Sequence, residues 1–229
     1  MRYIHSQISL YLISFLLIVS SIACAGLLNH LEQQKILNAL HQNYGERAYL
    51  RGQAWFNVME TALPLSSLDK LEKINNFFNL LHFVDDIKLW GLKNYWATPV
   101  EFLGVNGGDC EDFAIAKYFT LLELGIPDEK MRITMVKAVK LNQYHMVVAY
   151  YETPNAIPLI LDNLIGQIKP ANQRQDLIPV YSFNGKQLWM NKEKGQGVLA
   201  GKSERLKRWS NLNQRMRIST MRKPKLNLE

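Results

Sequence analysis

A cysteine stands between acids in the stretch NGGDCEDFAIAKYFTLLELGIP, residues 106–127. Asp109, Glu111 and Asp112 belong in water, so a cysteine set among them, directly after Gly107-Gly108, is not there simply to fill a core. A thiol attacks a carbonyl as the thiolate, and a free cysteine with a pKa of ~8.5 is mostly protonated at neutral pH. A helix N-terminus, a neighbouring imidazole and a third group that orients the imidazole all favour the reactive form. The chain offers each of them. Asp109 reads as the N-cap of a helix with Asp112 as its capping-box partner, Gly125 and Pro127 mark the stop, and Cys110 falls in the first turn. His145 is the one histidine on an expected strand that could cross the mouth of that helix, and Asp162 falls opposite it or one diagonal place away on the next strand. Cys110, His145 and Asp162 thus have the parts of a nucleophile, a general base and an orienter, with backbone N–H groups at the helix start available to a developing oxyanion. One Cys, one His and one Asp occur in nearly every chain, so on these residues alone a catalytic site and an unremarkable strand histidine both stay open.

The acids raise a second question. Like charges around a thiol oppose its ionisation, and a helix N-terminus offers only about half a positive charge against them. A bound Ca²⁺ would supply two and would accept carboxylate oxygens. Asp109 and Glu111 are the candidate ligands, whereas a capping role suffices for Asp112. For Asp109, cap and ligand are both open on the sequence alone.

The elements that must carry these residues divide at Gly125. Residues 27–104 read as helical. Ser66 and Ser67 cap a segment with Leu68, Leu71, Ile74, Phe77, Phe78 and Leu81 at helical spacing, Thr98-Pro99 starts a short turn of helix, and DDIKLWGLKNYWATP between them is aromatic and loop-like. Phe113, Ile115, Ala116, Phe119 and Leu122 cover more than half the circumference of the Cys110 helix, which predicts a central, largely buried helix. Beyond it the period becomes alternating. RITMVKAV (132–139), YHMVVAYYE (144–152) and PLILDNL (158–164), separated by short loops, predict an antiparallel meander, and IPVYSF (178–183) a further strand. The fold class is α+β: N-terminal helices, with the cysteine at a helix N-terminus, packed on an antiparallel sheet.

The ends of the chain bear on its compartment and partners. With 48% apolar and 21% charged residues among 229, disorder is not the default, and one good-sized core, or two small lobes sharing one, is expected. Residues 1–25 carry Arg2 as their one formal charge and end in Ala23-Cys24-Ala25, so they read as a signal peptide cleaved after Ala25. An uncleaved anchor is the alternative, and a lipoprotein cysteine at Cys24 the weaker one, because Ser21 stands where a bulky aliphatic residue is expected. Export to the periplasm would leave Cys110 as a lone thiol in an oxidising compartment, where it must be buried or used. Residues 26–200 form the expected domain. Residues 201–229 form a basic helix and tail, with nine Lys or Arg against one Glu between Gly201 and Lys225. In an exported protein that excess reads first as a solvated segment, with contact to an acidic protein or lipid surface as the lesser alternative and no nucleic-acid partner.

Gly-Asp-Cys-Glu-Asp-Phe opening a helix, a histidine 35 residues later and an aspartate 17 after that resemble the bacterial transglutaminase-like cysteine proteinases of the LapG type. WGLKNYWATPVEFLGVNGGDCEDFAIAKY carries the same likeness, which runs from about Trp55 to Ile168. The resemblance implies a papain-like, transglutaminase-like α+β fold and a periplasmic endopeptidase with Cys110, His145 and Asp162 as its triad. It implies as substrate the N-terminal region of a large surface adhesin, cut at a di-alanine site to release cells from a biofilm. It also implies calcium near the cysteine, and capture by an inner-membrane receptor that senses cyclic di-GMP. Such a contact would be anchored by an exposed apolar or aromatic side chain; Trp55, Trp90 and Trp96 lie in the matching region, although each reads more readily as core. The same triad could instead pass an acyl group to an amine, as a transferase or amidase, or survive as a vestige in a binding module.

Overall fold

The computed structural model describes residues 29–191, 197–216 and 221–229. The expected signal peptide lies outside the described residues. Three helices open the fold: α1 (His30–Tyr44), α2 (Glu46–Ala62) and α3 (Ser67–Phe78). Asn29 and Glu32 form a capping box at the first, and Ser66 caps the third by accepting from Asp69 N–H. The core face of α3 is narrower than its spacing suggests, since Leu71, Ile74 and Phe78 are buried while Leu68 is exposed. A short strand β1 (His82–Phe83), a single helical turn α4 (Asp86–Leu89) and the short helix α5 (Pro99–Gly104) lead to β2 (Gly107–Gly108). The central helix α6 (Cys110–Glu123) follows.

The sheet that α6 packs on has strands β3 (Met131–Ala138), β4 (Gln143–Tyr150), β5 (Leu159–Leu161), β6 (Lys169–Pro170), β7 (Leu177–Phe183), β8 (Gln187–Met190) and β9 (Val198–Lys202). Their order is β6-β5-β4-β3-β7-β8-β9, and every pair is antiparallel. The expected meander forms half of the sheet. The chain then returns past it, and the strand read as IPVYSF joins the free side of β3 and begins the other half.

Alternation along the strands builds two cores. Met146, Val148, Tyr150 and Leu161 face the helices together with Phe113, Ile115, Ala116 and Leu121 of α6. Val136, Val147, Ala149, Tyr151 and Ile160 form a smaller cluster on the opposite face, covered by Ala171 and Leu177. Trp55, Trp90 and Trp96 are all buried, so none of them is an exposed anchor for a partner.

The C-terminal segment is helical where it was expected to be, but it is not simply solvated. Helix α7 (Lys207–Met216) buries Trp209 and Leu212. Trp209 stacks on Phe119, with ring centroids 5.4 Å apart, and meets Tyr118 and Phe183 edge-on. Arg215 donates to Tyr95 Oη at 2.7 Å and to Glu101 Oε2 at 2.9 Å. Its charge is spent inside the molecule rather than offered to a partner. The remaining basic residues of α7, Lys207 and Arg208, are exposed in its first turn. Among the described residues no helix is long and apolar enough to cross a membrane.

Trp209→Ala should therefore destabilise the whole domain by about 3–5 kcal/mol, as expected for a buried aromatic truncated in a packed core. Urea unfolding followed by far-ultraviolet circular dichroism checks this. A loss under about 0.5 kcal/mol, the range of a surface substitution, would mean that α7 is not part of the cooperative core.

Candidate active site

The turn before Cys110 is set by close approach on two sides, of the His82 backbone and of the Asp112 side chain. β1 pairs in parallel with β2, His82 opposite Gly107 and Phe83 opposite Gly108. A Cβ at Gly107 would stand 2.5 Å from the His82 carbonyl oxygen, and one at Gly108 would run into the Asp112 carboxylate. Only glycine fits at either position. Asp109 then caps α6 by accepting from Glu111 N–H at 3.3 Å, and Asp112 reaches back to accept from Asp109 N–H at 3.2 Å. The expected capping box is in place. Asp112 is fully buried and its other oxygen accepts from Ala97 N–H at 2.7 Å, which ties the aromatic loop to the helix start.

Cys110 opens onto a cleft of about 560 Å³ whose walls include Asp85, Asp109, Glu111, Met135, His145 and Tyr181. His145, near the start of β4, is buried at 3% exposure, and its Nε2 lies 2.7 Å from Asp162 Oδ1. Asp162 follows β5 directly. Val148 pairs with Leu161, so Asp162 reaches His145 diagonally, within the two positions that the sequence allowed. The other Asp162 oxygen accepts from Arg174 Nη2 at 2.7 Å, and Oδ1 also accepts from Leu164 N–H at 3.0 Å. Burial alone would raise this carboxyl, yet the His145 hydrogen bond and charge, the Leu164 amide and Arg174 together bring it down to about 2. An ionised carboxylate only accepts, so His145 Nε2 carries the proton and Nδ1 is the nitrogen left for the cleft.

The acids beside Cys110 behave in the opposite way. Asp109, Cys110 and Glu111 form one group whose ligand atoms lie within 4.8 Å of one another, and Asp86, Asp109 and Asp112 form a second. Cys110 Sγ donates to Glu111 Oε2 at 2.8 Å. Burial, then the charges of Glu111 and Asp109, push the thiol well up. Burial first and the neighbouring carboxylates next raise Asp109 to about 11 and Asp86 to about 7. One oxygen of Asp86 accepts from Tyr95 N–H, while its Oδ1 is buried without a partner. Crowded carboxylates around a buried, unpartnered oxygen are a donor set for a hard cation, or else for a retained proton.

The sequence reading placed Cys110, His145, Asp162, Asp109 and Glu111, and all but Asp162 line the one cleft, with Asp162 directly behind His145. It missed Asp86 and Arg174. Asp86 sits in the stretch read as an aromatic loop, where the pair Asp85-Asp86 was the available signal. Arg174 has a local partner in Asp176, but nothing nearby in the sequence ties it to Asp162, which lies on another element.

A family model for the bacterial transglutaminase-like cysteine proteinases matches residues 53–197. The chain belongs to this family. LapG of Legionella pneumophila, in an EGTA-treated form, is 41% identical, with a TM-score of 0.73 over 84% of this chain and 100% of that one. Its calcium-bound form is likewise 41% identical, with a TM-score of 0.70 over 80% of this chain and 98% of that one. Among curated proteins none matches. The transglutaminase-like α+β fold and the cysteine-protease class expected from the sequence are those of this bacterial proteinase family.

The raised acids set a pH dependence. A carboxyl raised in the folded state keeps its proton after the unfolded chain has lost its own, so stability falls as pH rises from about 4, through about 7 for Asp86 and onward for Asp109. In chelator-treated protein, Asp86→Asn should therefore raise the urea midpoint at pH 8 and leave it nearly unchanged at pH 4. An equal shift at both pH values would show that repulsion among these acids is not the cause.

Proposed function

We propose that this protein is a periplasmic cysteine endopeptidase that uses Cys110, His145 and Asp162. The observation that carries the reading is Cys110 at a helix N-terminus, in one cleft with His145, whose Nε2 is held by a buried, ionised Asp162. His145 Nδ1 takes the thiol proton, and the Cys110 thiolate attacks the peptide carbonyl carbon. The Cys110 N–H lies in the first helical turn, where no intrahelical acceptor exists, and is available to the oxyanion. As the C–N bond breaks, His145 returns the proton to the departing amine. Water, deprotonated by His145, then hydrolyses the thioester and frees the carboxylic acid. Asp162 keeps the ring in the required tautomer throughout.

The carboxylates beside the thiol fit a calcium ion, and the calcium-bound form of Legionella LapG supports its presence here. Asp109 and Glu111 would hold it, and the unpartnered oxygen of Asp86 offers a further ligand. Bound there, calcium would offset the negative charge that keeps Cys110 protonated.

The resemblance to the LapG type supports the finer reading. The substrate is the N-terminal region of a large surface adhesin cut at a di-alanine site, its release disperses a biofilm, and an inner-membrane cyclic di-GMP receptor holds the enzyme in check. The apolar segment that ends in Ala23-Cys24-Ala25 supports export.

Cys110→Ala should give a folded protein that no longer cleaves a recombinant adhesin N-terminal fragment. EGTA should silence the parent enzyme reversibly, with activity restored by Ca²⁺. Gel analysis with and without an added primary amine separates the outcomes. Cleavage by Cys110→Ala would remove the mechanism, amide product would convert the reading to acyl transfer, and full activity in excess EGTA on metal-free protein would exclude an essential ion.

A further inference from the structure

We propose that Arg174 is a positioning residue of the active site, its guanidinium fixing the plane of the Asp162 carboxylate and, through it, the ring of His145. The inference rests on the triad reading above and extends it by one residue. Arg174 is 2% exposed, and Asp162 and His145 are buried with it. The two Asp162 oxygens have separate tasks: Oδ1 receives His145 Nε2 and Leu164 N–H, whereas Oδ2 receives Arg174 Nη2 at 2.7 Å. A carboxylate held at one oxygen alone can turn about its last torsion, since such rotations are broad and roughly two-fold. Held at both, it presents Oδ1 to the histidine in one orientation.

Arg174 is itself fixed. Its Nε donates to Asp176 Oδ1 at 3.0 Å and its Nη2 to Asp176 Oδ2 at 2.9 Å, a fork that sets the guanidinium plane. Its backbone is pinned in a tight turn, with Arg174 N–H donating to Ala171 O at 3.0 Å and Leu177 N–H to Arg174 O at 3.1 Å. Ala171 and Leu177, on either side, pack on the small cluster of Val136, Val147, Ala149, Tyr151 and Ile160. That far face of the sheet therefore serves to seat Arg174 behind the catalytic histidine. The helical face holds the same aspartate by its main chain. Asn79 Nδ2 donates to Asp162 O at 2.9 Å, and Asn79 Oδ1 accepts from the buried Lys117 of α6 at 2.7 Å. Lys117 is a second cation beside Asp162 that is already engaged by Asn79. Among the described residues, Arg174 is the one whose side chain donates to the carboxylate oxygen that His145 leaves free.

The test compares Arg174→Gln and Arg174→Lys with the parent and with Cys110→Ala, using nitrogen-15-labelled histidine for NMR and the adhesin fragment for kinetics. In the parent, His145 should be a single tautomer whose Nε2 proton is protected from water. In Arg174→Gln that resonance should broaden into exchange with water, and kcat should fall about tenfold or more with KM within about twofold, since an orientation lost in the transition state lowers kcat alone. Arg174→Lys keeps the charge without the fork, so it should retain the Nε2 proton and recover only part of kcat. A loop anchor with no role in positioning would lower the folded fraction and leave both the tautomer and kcat per folded molecule untouched, which would overturn the proposal. If Arg174→Gln does not fold, Arg174→Lys decides: full kcat in the lysine variant sinks the idea. An inactive Cys110→Ala with a normal Arg174→Gln removes Arg174 alone, whereas an active Cys110→Ala removes the triad and this inference with it.

Discussion

A helix buried on nearly its whole circumference meets solvent only at its ends, and that constraint on α6 governs the rest of the molecule. Phe113, Ala114, Ile115, Ala116, Tyr118 and Leu121 are all buried, as are Asp112, Lys117 and Thr120. With helices on one side and the sheet on the other, the first turn is where α6 reaches the cleft, and Cys110 occupies it. Main-chain partial charge also concentrates there. The glycines at 107 and 108, the capping pair of Asp109 and Asp112, and the Asp112 bond to Ala97 all serve to bring the chain to that point in one geometry.

Burial acts on two sets of carboxylates at this site with opposite results. Asp162 is ionised because its partners are donors: an imidazole, an amide and a guanidinium. Asp109 and Glu111 crowd the thiol, and Asp86 and Asp112 crowd Asp109, so Asp86, Asp109 and the thiol are driven toward their protonated forms. A catalytic thiolate needs the reverse of what this second cluster imposes. The proposed site therefore joins a histidine held in one orientation by the protein with a thiol whose ionisation would wait on an external charge. A calcium ion bound beside Asp109 and Glu111 would supply that charge.

The two halves of the sheet have different tasks. Strands β4 and β5 carry His145 and Asp162 to the cleft, and their register makes the pair diagonal rather than opposite. The segment between β6 and β7 passes behind them and delivers Arg174 before the chain crosses to the other side of β3. The C-terminal helix closes the same body, because Trp209 fills a space among Phe119, Tyr118 and Phe183.

Much of this was determined by local sequence. Capping residues, the glycine pair, the helical period of residues 110–123 and the alternation of residues 131–150 are short-range signals, because a cap or a pleat is decided within a few residues. They sufficed to place Cys110 at a helix start and to bring His145 and Asp162 onto neighbouring strands. Tertiary structure alone decided the rest. Asp86 joins Asp109 only because the aromatic loop folds back on the helix start, and Arg174 finds Asp162 only because the chain crosses behind the meander. The basic C-terminal helix read as solvated because charge dominates its composition, yet its buried face needs only Trp209 and Leu212, and their receiving pocket is built from α6 and β7. For Asp86 with Asp109 and Arg174 with Asp162, pairing is set by which separate segments come to share a space, and no short window of the sequence contains both partners.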